Sequence, residues 1–171
     1  MTAELERLNA LPLDEAERQF LQCCGSTNWS RRMSRLRPFR DRRELLESAD
    51  RVWWELRPED WLEAFSRHPR IGERAASTAG SAQARPWSDE EQSGTQSATQ
   101  GVLAALAEAN RAYRDRFGYI FIVCATGKTG DEMLALLRQR LQNEPGAELC
   151  IAAEEQGRIT HLRLEKLLAS E

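Results

Sequence analysis

The longest periodic run in the chain limits what it can fold into. Val102, Leu106, Ala109, Tyr113 and Phe117 step by three or four residues, and Gly118 follows where a C-terminal helix cap belongs. Residues at that spacing share one face of an α-helix, and their apolar stripe has to be covered by other elements. The run opens at Ser88, which predicts one long helix. Its partners carry the same period. Leu45, Leu46, Ala49, Val52, Trp53 and Leu56 fall on one side of a helix expected over 44–56. Met133, Leu134, Leu137 and Leu141 mark another over 131–141. Pro58 opens a helix that Pro69 ends, because proline suits a first turn and cannot continue a helix. Asp14 reads as the N-cap of a segment closed by Gly25, residues 4–8 as a first turn or short helix, and 147–168 as one last helix despite Gly157. The small, polar stretch 72–86 reads as a loop. Tyr119 to Ala125, YIFIVCA, is a buried strand or an extended connector, and periodicity does not separate the two. The expected fold is all-α: a single compact multi-helix domain over 1–171, without internal repeats, with a short extended segment near 119–125.

Composition narrows the function. A chain of 171 residues with 41% hydrophobic residues fits one domain with a sizeable core. The net charge is −3, from 24 Lys and Arg against 27 Asp and Glu, which gives no overall attraction to nucleic acid or anionic membrane. Cys23, Cys24, Cys124 and Cys150 form no C-x-x-C pair, and two histidines leave no zinc-finger spacing. No window approaches the ~18 apolar residues of a membrane span. The opening lacks a signal peptide's basic and apolar regions, and LLASE is not a peroxisomal address. The expectation is a cytoplasmic, reduced protein with no metal, no nucleic-acid partner and no membrane partner.

Several motifs have competing readings. FIVCATGKTG suggests a phosphate-binding loop, but the position five residues before Gly127 is Ile122 rather than glycine. A turn entering the next helix is the main account, and a nucleotide-binding module using GKT is the alternative. Seven arginines lie between Arg31 and Arg43. They read as a solvated, partly ion-paired face, since Asp41, Glu44 and Glu47 follow closely and arginine stems cover apolar surface. A helical interaction domain using that face is the alternative. Trp53, Trp54 and Trp61 fit core packing or a subunit interface, and Cys124 a small hydrophobe. Ser88 and Glu91 match a capping box, although a carboxylate beside the positive end of a helix can also hold a substrate donor. His68, followed by Pro69, suits a helix C-terminus when protonated, a structural role. The structural reading is the main one for a lone histidine, and proton traffic near pH 7 is the alternative.

The motifs also form a series. His68-Pro69-Arg70-Ile71-Gly72, Ser88-x-x-Glu91-Gln92 and Arg116-Phe117-Gly118-Tyr119-Ile120-Phe121 occur in that order. Arg37-Pro38-Phe39 and Trp61-Leu62-Glu63-Ala64-Phe65 precede them, and Leu162-Arg163-Leu164 follows. Together they resemble the OHCU decarboxylase family across nearly the whole chain. The resemblance implies an all-helical fold, a homodimer, and no metal or organic cofactor. It implies decarboxylation of a small-molecule substrate, 2-oxo-4-hydroxy-4-carboxy-5-ureidoimidazoline, to (S)-allantoin in urate degradation. By resemblance, His68 is the acid/base residue and Glu91 works with it. Pro69, Ser88 and Gln92 line the pocket, and the main chain of Phe121, Ile122, Val123, Cys124 and Ala125 offers hydrogen bonds to the ring and its ureido arm. Arg163 pairs with an anionic group. Lys128 has no assigned role, and His161 reads as structural or surface.

Overall fold

Helix ends in this chain fall where local groups satisfy amides and carbonyls that a helix leaves without partners. The structure, a computed structural model, describes residues 2–69 and 98–169. Among the described residues the elements are α1 (Ala3–Ala10), α2 (Leu13–Cys24), α3 (Thr27–Arg35), α4 (Arg42–Trp54), α5 (Pro58–Ser66), α6 (Gln100–Phe117), α7 (Gly130–Arg140) and α8 (Pro145–Ala169). No strand occurs among the described residues, and 119–125 is an irregular connector. The all-α expectation holds, and YIFIVCA takes the second of its two readings. The expected 72–86 loop, the Ser88–Glu91 capping box and the predicted opening of the long helix lie outside the described residues.

At α2 and α3 the structure differs from expectation. Asp14 is not the cap of α2: Pro12 holds that position without a side-chain bond. Asp14 sits in the first turn and pairs at 2.9 Å with Arg18, one turn on. That hydrogen bond holds its carboxyl below the usual range. The unexpected element is α3, where the hydroxyl of the N-cap Ser26 accepts from the Trp29 amide at 3.3 Å. Its inner face carries only two large apolar residues, Trp29 and Met33, beside Ser30 and Ser34. Those serines donate at 2.9 Å to the carbonyls of Thr27 and Arg31, which satisfies them inside the core.

The chain packs as two compact units. The first comprises Met1–Ala64 with Gly157–Glu171. Its centre is aromatic: Phe20 meets Trp29 and Phe39 edge-on at 5.9 and 6.3 Å. Arg37 fastens this centre to the end of α1, donating from Nη1 to the carbonyls of Leu8 and Leu11 at 2.8 Å each. Asn9 and Phe39 then exchange side-chain and main-chain bonds at 2.8 and 2.9 Å. The Arg37-Pro38-Phe39 motif is thus a structural fastening. Within the arginine-rich stretch, Arg32, Arg40, Arg42 and Arg43 pair with Glu55, Glu44, Glu165 and Glu47. This is the ion-paired face the sequence suggested. Cys23 and Cys24 are buried thiols outside any disulfide, pushed up to about 12 by desolvation, which makes them poor nucleophiles.

The second unit is Phe65–Gln156. Leu106 and Tyr113 of α6, Phe121 and Val123 of the connector, and Met133 and Leu137 of α7 form its core. Gly118 ends α6 in the left-handed conformation, φ 82°, and donates to the Arg114 carbonyl at 2.8 Å. Glu148 of α8 is fully buried, and three groups neutralise or satisfy it. Arg140 donates from Nε at 2.7 Å, Asn143 from Nδ2 at 2.7 Å, and the Tyr113 hydroxyl reaches the same carboxylate. Burial, then the bond to Glu148, pushes the Tyr113 phenol far above its ordinary value. Arg140 also donates to the Ile122 carbonyl at 2.7 Å and lies 4.6 Å from the centre of the Phe121 ring. One buried ion pair therefore fixes the connector that has no ladder of its own.

Removing one charge from such a pair leaves the other buried and uncompensated. Glu148→Gln is expected to lower the free energy of unfolding by about 3–5 kcal/mol, read from urea titration. A loss below about 1 kcal/mol would show that Arg140 does not depend on Glu148.

Candidate active site

His68 lies just past α5. That helix ends at Ser66, and the His68 amide donates to the Phe65 carbonyl at 3.2 Å in a closing turn. The expected helix reached His68 itself, and it stops short because a residue preceding proline is pushed out of the helical region. His68 and Pro69 are both half-buried.

The imidazole Nε2 is 2.7 Å from Oε1 of Gln156, a fully buried side chain on α8. The preceding residue, Glu155, is 8% exposed and accepts from the Cys124 amide at 2.6 Å. Neighbouring side chains on a helix diverge by about 100°, which lets Glu155 and Gln156 reach two different segments. One turn of α8 thereby holds both the His68 ring and the connector.

The connector is buried at Phe121, Ile122, Val123 and Ala125, with Cys124 half-buried. Its carbonyls are partly engaged already. Ile122 accepts from Arg140, Cys124 accepts from Lys128 Nζ at 2.8 Å, and Ala125 accepts from the Lys128 amide at 3.0 Å. Lys128 is folded back on its own turn, with Gly127 in the left-handed region at φ 78°. Thr129 caps α7, and Glu132 returns the bond by accepting from the Thr129 amide at 2.7 Å. Gly130 has no room for a side chain, because a Cβ there would sit 2.8 Å from that of Ala98. GKTG is a helix-entry turn in which the Lys128 and Thr129 amides and the Lys128 ammonium have internal partners.

Of the residues the sequence singled out, the structure brings His68 and 121–125 into one anchored arrangement. Ser88, Glu91 and Gln92 lie outside the described residues. Arg163 is a buried residue of the first unit, and its charge acts on the thiols of Cys23 and Cys24. His161 pairs at the surface with Asp50 at 2.7 Å, as a structural residue would. Sequence reasoning missed Glu155 and Gln156, because Glu154-Glu155-Gln156 reads as an exposed polar stretch. The available signal was helical phase: Ala152, Gln156, Ile159 and Arg163 recur on one buried stripe.

Glu155→Ala is expected to leave the Cys124 amide without its acceptor, costing about 1–3 kcal/mol locally. Hydrogen exchange should show faster exchange at Cys124 while α6 and α7 keep their protection. Unchanged protection at Cys124 would mean the carboxylate does not hold the connector.

Residues 9–165 match the OHCU decarboxylase family. The uric acid degradation bifunctional protein TTL of Arabidopsis thaliana is 38% identical over 160 residues, covering 93% of this chain and 49% of that protein. This chain thus spans about half the length of that relative. The 2-oxo-4-hydroxy-4-carboxy-5-ureidoimidazoline decarboxylase of Haloferax volcanii is 26% identical over 170 residues, covering 98% of this chain and 97% of that protein. A crystal structure of OHCU decarboxylase in the presence of (S)-allantoin is 38% identical, with a TM-score of 0.77 over 89% of this chain and 98% of the other. A match along nearly the whole chain, in sequence and in fold, makes this chain a member of the OHCU decarboxylase family.

Proposed function

We propose that this chain is a cofactor-independent carboxy-lyase that converts 2-oxo-4-hydroxy-4-carboxy-5-ureidoimidazoline to (S)-allantoin in urate degradation. The observation that carries the reading is the half-buried His68 imidazole bonded to a buried acceptor on the helix turn that also holds the connector. A single domain, a cytoplasmic location and a homodimer belong to the same proposal. No helix among the described residues is long and apolar enough to cross a membrane, which is compatible with it.

The chemistry needs little beyond position and proton handling. The substrate carries its carboxylate on a ring carbon next to a C=N unit. When the C–C bond to the carboxylate breaks, its electron pair moves toward that C=N and neutral carbon dioxide leaves. The pair leaves a C=C bond between the two ring carbons and passes the C=N electrons to the ring nitrogen, which takes a proton. The ureido-bearing carbon then takes a proton on one face while the neighbouring hydroxyl gives up its own and becomes the carbonyl of (S)-allantoin. The ring is its own electron sink, which leaves the protein to supply orientation and electrostatics. An imidazole can both give and take the proton near neutral pH. Glu91 is proposed as the partner of His68, with Pro69, Ser88 and Gln92 around the same substrate. The main chain of 121–125 would meet the flat ring and ureido arm, through groups other than the Cys124 amide, which Glu155 holds. Arg163 remains the proposed partner of an anionic group. The internal partners of Lys128 and of the arginine-rich face weigh against the nucleotide and interaction-module readings.

The test generates the unstable substrate from urate with urate oxidase and hydroxyisourate hydrolase, and follows allantoin by circular dichroism. Wild-type protein should give one enantiomer faster than the spontaneous racemic decay. His68→Ala should lose about 100-fold to 10,000-fold of the acceleration while remaining folded. Glu91→Gln removes the charge at nearly constant side-chain size and should also slow the reaction. Wild-type turnover in His68→Ala would overturn the acid/base assignment.

A further inference from the structure

We infer that Gln156 is a positioning residue that fixes the tautomer of His68, so that the proton exchanged with substrate moves at Nδ1. The inference rests on the proposed decarboxylase reading and deepens it. The contact is directional. The atom of Gln156 that lies 2.7 Å from Nε2 is the amide oxygen, which can only accept. Nε2 therefore donates, and the neutral ring carries its lone pair on Nδ1. Which nitrogen of a histidine holds the proton is set by the bond that the other nitrogen makes.

Burial gives the contact its strength. Gln156 is fully buried, and leaving its oxygen without a donor there is costly. Two neighbours hold the geometry. Glu155 is bonded to the Cys124 amide at 2.6 Å, which locks the rotation of this turn of α8 against the connector. The His68 amide is bonded to Phe65, which locks the turn bearing the ring. An imidazole anchored at Nε2 keeps that proton throughout a catalytic cycle. Nδ1 takes one proton, forming an imidazolium that Gln156 stabilises through the same Nε2–H bond, and then returns it. A general acid/base needs this fixed aim, because a misplacement of about 1 Å can cost on the order of 100-fold in rate.

The primary test is nitrogen-15 NMR of the wild-type protein labelled at histidine. His161→Gln identifies the second imidazole, which sits on Asp50. At a pH where the ring is neutral, His68 is expected as the Nε2–H tautomer. In Gln156→Leu the signal should turn to a tautomer mixture, with kcat at least tenfold lower and KM within about threefold. Gln156→Glu, which keeps an acceptor oxygen, should restore the Nε2–H form. An Nδ1–H tautomer in the wild type overturns the inference, as does a Gln156→Leu enzyme with kcat within twofold of wild type. Absence of decarboxylase activity in the wild type would instead sink the functional reading, and the tautomer would still be read independently.

Discussion

The second unit depends on a carboxylate with no access to water. Glu148 is buried together with its counter-charge, Arg140, and such a pair is stable only when its remaining hydrogen-bonding capacity is filled. Asn143 and Tyr113 fill the carboxylate side, and the carbonyl of Ile122 takes a guanidinium proton. That last bond reaches the connector. Residues 119–125 have neither a helix's internal bonds nor a sheet's ladder, yet buried backbone groups need partners. A side chain from α7 supplies one, and the Phe121 ring below the guanidinium adds apolar and cation–π contact. A strand-like sequence is held extended without a sheet.

α8 carries this logic to the catalytic candidate. Glu148 anchors the end of α7, while Glu155 and Gln156, two turns further on, hold the connector at Cys124 and the ring of His68. A reaction whose substrate holds its own electron sink asks for rigid placement of a few polar groups, and a helix is a stiffer support for them than a loop. Buried polar residues on α8 are expensive unless partnered, and here each has a partner.

The parts of the fold with strong apolar period were legible. The stripe from Val102 to Phe117 and the glycine that ends it appear as read, with Leu106 and Tyr113 fully buried. α3 was not legible, because its inner face offers Trp29 and Met33 alone while arginines fill its outer face. Asp14 looked like a cap by residue type, but the fixed backbone of Pro12 already sets the entry to α2. For YIFIVCA, a fully apolar run looks the same in a strand and in a buried connector. Only the reach of Arg140 to Ile122, a long-range fact, decides between them. At the site, His68 stood out because histidine is rare in this chain and proline follows it. Gln156 did not, since one polar residue after two glutamates carries no mark of burial until the phase of α8 is known.

The central claim is that the substrate meets this anchored imidazole and connector. A crystal structure of the protein soaked with (S)-allantoin tests it most directly. The account predicts the product with a polar atom about 3 Å from the His68 ring and its flat ring against the main chain of 121–125. Allantoin bound in full occupancy elsewhere, with His68 touching only protein, would contradict it.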